Sequence, residues 1–231
     1  MEKRILQLIG AALAAFFTAA TPYAQEQTVD TKIRLHGWAE LDAYPELKEA
    51  ADMSTGQFDF PISRIRAITP FLMEGMIYGW EFTYTPYDKL RGVKEFFEVS
   101  PIQKLSAKDN PITYESPWIQ ENLFHCWAEY KRTSDQAWQY KQWQSLYTQK
   151  IRGRGYGKVQ HGFDGITEAA QDALKNAVRE HYRHLEKNKP KEISGKVIIN
   201  REPKIGITEG RYAIELDFFV ETDRIIKYSS F

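Results

Sequence analysis

The chain has 231 residues with 31 basic and 31 acidic side chains, so its formal net charge at pH 7 is zero. This balance gives no reason to expect a nucleic acid or an anionic membrane as partner, because both attract an excess of basic residues. The single cysteine, Cys126, excludes an internal disulfide bond, so stability must come from packing alone.

The first residues predict a cleavable secretory signal peptide over residues 1–24. Lys3 and Arg4 form its positive start, and residues 5–20 are an apolar run that is shorter than a typical membrane-spanning helix. Small residues offer cleavage after Ala20 or Ala24. We therefore expect a periplasmic or secreted protein that has no membrane span after signal cleavage.

A short repeat indicates an internal duplication. Residues 35–41 (LHGWAEL) and 124–130 (FHCWAEY) share the pattern His-x-Trp-Ala-Glu. The chain has only five histidines and six tryptophans, which makes a chance recurrence of both together improbable. Each copy is followed by a Phe-Asp pair, a helix-like segment and two strand-like runs.

The hydrophobic patterns predict an α+β fold. Helices are expected over residues 63–78, where Pro70 must kink or restart the helix, and over residues 166–187, where apolar residues recur with the 3.6-residue period. Alternating or apolar runs predict strands at 80–85, 93–99, 196–200 and 211–221. The chain is thus interpreted as two tandem β-α-β-β units with helices packed on antiparallel sheet.

The predicted boundaries are a first unit at 25–110, a linker at 111–121 and a second unit at 122–231. The linker has the Pro, Asn and Ser content of a connector. The second unit has an insertion at 134–158. Its first part, 134–151, is expected to be an inserted helix, with a strand as the alternative because its aromatic residues also alternate. Residues 153–158 (GRGYGK) lack the spacing of a phosphate-binding loop and are interpreted as a flexible basic loop.

The repeated segments supply the candidate binding residues. Residues i, i+2 and i+4 of a strand share a face, so each copy presents a histidine, a tryptophan and a glutamate together. The six residues are His36, Trp38, Glu40, His125, Trp127 and Glu129. If the two strands meet, these side chains converge in a way that suits a metal ion or a stacked sugar. The alternative is that both strands simply keep their packing residues.

No catalytic constellation is recognised in the sequence. The serines lack a G-x-S-x-G elbow, and His181 and His184 do not have the spacing of a zinc-protease helix. We therefore expect no catalytic residue, no bound metal and no cofactor. The predicted function is a non-enzymatic binding or cell-envelope assembly module, with an envelope protein or a cell-wall glycan polymer as partner.

An alternative function is a glycan-binding protein or a glycan-acting enzyme that uses the two repeated segments. Hydrolysis would need the carboxylates of Glu40 and Glu129 in one cleft, about 5–9.5 Å apart.

One segment adds a family resemblance. Residues 165–180 (GITEAAQDALKNAVRE), followed by strands that include residues 212–216 (YAIEL), resemble the opening helix and strands in a group of exported bacterial envelope proteins. The N-terminal domain of the flagellar accessory protein FlgT belongs to that group. The resemblance implies a non-enzymatic role in envelope or flagellar assembly.

Overall fold

A computed structural model describes residues 31–41, 58–106, 111–145 and 147–229. The predicted signal peptide lies outside the described residues. The elements within them follow in chain order: β1 (Lys32–Glu40), α1 (Asp59–Ile77), β2 (Trp80–Thr85), β3 (Phe96–Pro101), β4 (Thr113–Gln120), β5 (Leu123–Lys131), α2 (Ser134–Trp143), β6 (Gln149–Lys158), α3 (Phe163–Leu185), β7 (Glu192–Ile199), β8 (Lys204–Thr208) and β9 (Arg211–Ile226).

The strands form two antiparallel sheets, which confirms the predicted α+β class. The smaller sheet has the order β1-β5-β4, and the larger one has the order β3-β2-β7-β9-β6 with β8 also paired to β9. The two predicted units interleave, because β1 pairs with β5 and β2 pairs with β7. Each sheet therefore contains strands from both units.

Helix α1 connects the two sheets. It packs against β1 of the smaller sheet, against β7 of the larger sheet and against α3. Twelve of its 19 residues are buried, and the helix continues through Pro70 without ending there. A proline inside a helix costs about 3 kcal/mol, and we attribute its tolerance here to the extensive burial of this helix. One continuous core therefore contains side chains of α1, α3 and both sheets.

Three strands were not expected from the sequence. The predicted linker at 111–121 contains β4, and the segment between β7 and β9, for which no strand was predicted, contains β8. The inserted helix is confirmed as α2, but it ends at Trp143 instead of continuing to residue 151. The prediction of a flexible loop at 153–158 is wrong, because these residues belong to β6 and pair with β9.

The glycines of β6 allow this strand to lie close to α3. Gly153, Gly155 and Gly157 alternate along the strand, so all three face the same side, and there they meet the backbone of α3. A Cβ at Gly155 would lie far inside van der Waals contact with backbone atoms of Ala169 and Ala173. Glycine is therefore needed for the close approach of helix and strand.

Within the described segments, no helix is both long and apolar enough to cross a lipid bilayer.

The close helix–strand contact yields a stability prediction. Gly155→Ala should lower the free energy of unfolding by about 1–3 kcal/mol or more, because the added methyl group overlaps backbone that cannot rotate away. Urea unfolding followed by circular dichroism measures this change. Gly206→Ala is the matched control, since a Cβ at Gly206 in β8 meets nothing within 4 Å and should change stability by less than about 0.5 kcal/mol. Equal effects of the two substitutions would contradict the packing described here.

Candidate functional site

The two His-x-Trp-Ala-Glu segments lie side by side in the smaller sheet. In the antiparallel pairing of β1 with β5, His36 lies opposite Trp127 and Trp38 lies opposite His125. Gly37 and Cys126, which hold the same position in the two repeats, lie opposite each other, so the two segments are related by a local twofold arrangement. Residues directly opposite each other share a face, and the six candidate residues therefore all lie on one side of the sheet.

This register brings the two imidazoles together. His36 Nε2 and His125 Nδ1 are 3.1 Å apart, and the two rings are inclined by 14°. In such a pair one nitrogen donates a proton and the other accepts it. Burial, followed by the neighbouring His125, lowers the pKa of His36. The folded protein thus favours the neutral form of His36.

Trp118 of β4 covers the imidazole pair. The centroid of its ring lies 5.3 Å from the ring centroid of His36 and 5.0 Å from that of His125, and the Trp118 ring is nearly parallel to both imidazoles. A β-bulge between Glu115 and Trp118 inserts one extra residue into β4, so that Trp118 pairs with His125. Without the bulge, Trp118 would lie opposite Phe124 and point to the other face of the sheet. Ser116 in this bulge has a left-handed backbone with a φ of 51°.

Trp127 completes the group of four rings, which we call the His–Trp cluster: His36, Trp118, His125 and Trp127. The Trp127 ring is 5.2 Å from His36 and 6.3 Å from Trp118. The guanidinium of Arg34 lies 4.4 Å from the centre of the Trp127 ring. Both indoles of the cluster are partly exposed, whereas His125 is only 9% exposed. The cluster is thus an aromatic surface supported by a buried imidazole.

The other repeated residues connect β1 and β5 to their surroundings. Trp38 donates a hydrogen bond from Nε1 to the carbonyl of Ile205 in β8 at 3.1 Å. Glu40 forms an ion pair with Arg64 of α1, whose side chain is 1% exposed. Glu129 forms ion pairs with Lys32 and Arg34. The Lys32 ammonium, assisted by Arg34, holds the pKa of Glu129 below its usual value.

The two glutamates lie too far apart for the alternative enzymatic function. Glu40 pairs with Leu123 and Glu129 pairs with Arg34, so six residue steps along the strands separate them. At about 3.4 Å per step, their Cα atoms are about 20 Å apart, well outside the range of a glycosidase carboxylate pair. Among the described residues, no three His, Cys, Asp or Glu side chains form a group that could hold a metal ion.

Sequence reasoning missed three contributors to this site. Trp118 lies in the predicted linker, and only the bulge turns it towards the histidines. Arg34 lies two residues before His36 and therefore on the same face of the strand, so its place at the site could have been predicted from the sequence. Glu202 accepts a hydrogen bond from the backbone N–H of His36 at 3.0 Å across 166 residues, which no local pattern signals.

Comparison with known proteins places the chain in a family. One family model matches residues 18–228, which include every described strand and helix, and the chain belongs to that family. An uncharacterized protein of Treponema pallidum (strain Nichols) is 32% identical over 169 residues, which cover 73% of this chain and 71% of that relative. No solved structure matches the chain.

The imidazole pair generates a pH prediction. Folding lowers the pKa of His36 below the unfolded value of 6.5. As the pH falls below 6.5, the unfolded chain therefore binds more protons than the folded protein does. The contribution of neutral His36 to stability is therefore complete above pH 6.5 and is lost as the pH falls towards the folded pKa. His36→Gln should lose less stability than the unsubstituted protein between about pH 7.5 and pH 5.

Urea unfolding at the two pH values measures this difference. His184→Gln is the control, because His184 is exposed on α3 and its hydrogen-bond partner is Glu180 of the same helix. If His36→Gln and the unsubstituted protein lost equal stability on acidification, the described environment of His36 would be incorrect.

Proposed function

We propose that this protein is an exported, non-enzymatic binding or assembly module of the cell envelope, and that its partner binds at the His–Trp cluster. The observation that carries the proposal is the convergence of four rings on one face of the small sheet, with both indoles partly exposed. Exposed tryptophan on a fixed support is a typical centre of a binding surface, because it buries a large area with little loss of side-chain freedom.

The side chains of the cluster are held in place by several contacts, which favours binding. Trp118 is held on the hydrogen-bonded imidazole pair, and Trp127 lies next to Arg34, which is itself paired with Glu129. A surface whose side chains are already fixed loses little entropy when a partner docks.

The polar groups near the cluster favour a non-enzymatic role. The carboxylates of Glu40 and Glu129 are engaged in ion pairs at opposite ends of the strands. Cys126 is buried, and burial raises the pKa of its thiol, which disfavours the reactive thiolate. These residues therefore act as structural groups that hold the strands in place.

The envelope location rests on the amino-acid sequence. Residues 1–24 have the charge and apolar pattern of a signal peptide. The segment at 165–180 lies in α3, and residues 212–216 lie in β9, so the part that resembles exported envelope proteins comprises a helix and a strand that pack together. The resemblance supports an assembly role beside other envelope components.

A glycan polymer is the second candidate partner, favoured by the two partly exposed indoles. Sugar rings stack on tryptophan faces, and Trp118 and Trp127 lie 6.3 Å apart on the same surface. The separation of the two glutamates supports binding alone and not glycan hydrolysis.

The cluster provides the binding test. The immobilised protein is exposed to envelope extract and, in parallel, to purified cell-wall glycan, and the affinity of the retained component is then measured for each variant. Trp118→Ala and Trp127→Ala should each weaken binding by about 30-fold, the effect of losing a central aromatic contact worth about 2 kcal/mol.

Trp138→Ala is the matched control, because Trp138 is an exposed tryptophan of α2 outside the cluster. It should leave the affinity unchanged. Retention that is equal for all three variants, or that is lost only with Trp138→Ala, would contradict the proposed site.

Export has its own test. Mass spectrometry of the protein isolated from an expressing bacterium should show an N-terminus at Thr21 or Gln25, because the sequence offers cleavage after Ala20 or Ala24. The processed form should be recovered outside the cytoplasm. An unprocessed chain found only in the cytoplasm would rule out the proposed compartment.

A further inference from the structure

The loop that joins β2 to β3, residues 86–95, exposes an apolar side chain to solvent on a backbone that is held by hydrogen bonds. Leu90 is 96% exposed at its tip. The buried carboxylate of Asp88 accepts hydrogen bonds from the backbone N–H groups of Leu90 and Arg91, and from the Arg91 side chain at 2.6 Å. Asp88 and Val93 also exchange two backbone hydrogen bonds. The position of Leu90 is thus fixed by several contacts.

An isolated exposed leucine is common on protein surfaces, so its surroundings determine its significance. Tyr87, on the same loop, is 54% exposed, and its carbonyl accepts a hydrogen bond from Lys189 Nζ at 2.8 Å. Arg91 lies 4.3 Å from the centre of the Tyr228 ring. Tyrosine, lysine and arginine side chains thus share this surface with the exposed leucine, a composition that is typical of a membrane-interface surface.

Basic residues dominate the recess beside this loop. The recess has a volume of about 610 Å³, and we call it, together with Tyr87 and Leu90, the basic loop surface. Its basic residues are Lys89, Arg91, Lys187, Lys189 and Lys227. Among the described residues, the only carboxylate that lines it belongs to Asp88, which pairs with Arg91, while Lys227 pairs with Glu186 at 2.9 Å.

Three cations of this surface keep their charge available. In the described part of the chain, Lys89, Lys187 and Lys189 have no carboxylate within ion-pair distance. All three are exposed and lie around the apolar tip. The surface therefore has a local positive charge although the whole chain is neutral.

We propose that the basic loop surface docks the protein onto an anionic phospholipid bilayer. Leu90 and Tyr87 enter the headgroup region, and the surrounding lysines contact lipid phosphates. Free phosphate or another soluble polyanion would engage the lysines alone, whereas a bilayer also uses the exposed leucine. The net charge of zero gives no indication of such a partner, because composition does not show where charged side chains cluster in the folded protein.

Vesicle co-sedimentation tests the proposal. The protein is purified as the cell processes it, so that all variants have the same N-terminus. Vesicles of phosphatidylcholine with about 30 mol% phosphatidylglycerol should bind it at low salt, and pure phosphatidylcholine vesicles should not. Raising the salt to about 0.5 M should abolish most of the binding, because the charges are screened.

Two variants separate the contributions of charge and apolar contact. The double variant Lys89→Glu/Lys187→Glu should weaken binding at least about tenfold, and Leu90→Ser should weaken it about threefold or more. Both changes are at exposed positions, so folding should be preserved, which circular dichroism checks. Lys104→Glu/Lys158→Glu and Ile207→Ser are the controls, because these exposed residues lie on other parts of the chain and should leave binding unchanged.

Three results would overturn the proposal. The first is the absence of binding to anionic vesicles at low salt. The second is equal binding by all variants, which would place the contact elsewhere on the chain. The third is a loss with the lysine variant but none with Leu90→Ser, which would indicate a general polyanion site. Trp118→Ala should retain vesicle binding, so failure of the cluster proposal and failure of this one are distinguishable.

Discussion

The antiparallel pairing of β1 with β5 is the constraint on which the rest of the structure depends. It joins the two halves of the chain, and its register decides which side chains meet. A shift of one residue would move His36 and Trp38 to the opposite face, where Leu35 and Ala39 now enter the core. The alternation of apolar and polar residues along both strands therefore fixes the core and the site at once.

The same pairing separates what the repeated pattern suggested would come together. Because the strands are antiparallel, residues near the centre of the pairing converge and residues at the ends diverge. The imidazoles lie near Gly37 and Cys126 and meet at 3.1 Å, whereas Glu40 and Glu129 lie towards opposite ends. Each glutamate instead forms an ion pair with a neighbouring element or strand, so the geometry favours a binding surface over a hydrolytic cleft.

Much of the fold could be predicted from the sequence because strong periodicity marked α3, β2 and β9. The predicted duplication is compatible with the local twofold register of β1 and β5 but stays a prediction. The missed strands have weak patterns for identifiable reasons: β4 contains Pro117 and a bulge, and β6 uses glycine where a strand normally presents apolar side chains. Three of the six candidate site residues, His36, His125 and Trp127, belong to the cluster, and the other three have contacts elsewhere. The cluster is completed only because long-range strand pairing brings Trp118 next to the histidines. Such pairing leaves no mark in local sequence.

The most direct test of this account is the contact between the imidazoles and Trp118 in solution. Nuclear Overhauser measurements on protein labelled at histidine and tryptophan report which ring protons lie within about 5 Å of one another. We expect cross-peaks from the Trp118 indole to both His36 and His125, and between β1 and β5 at His36 and Trp127. Absence of the Trp118 contacts to both histidines, with β5 shifted by one residue against β1, would contradict it.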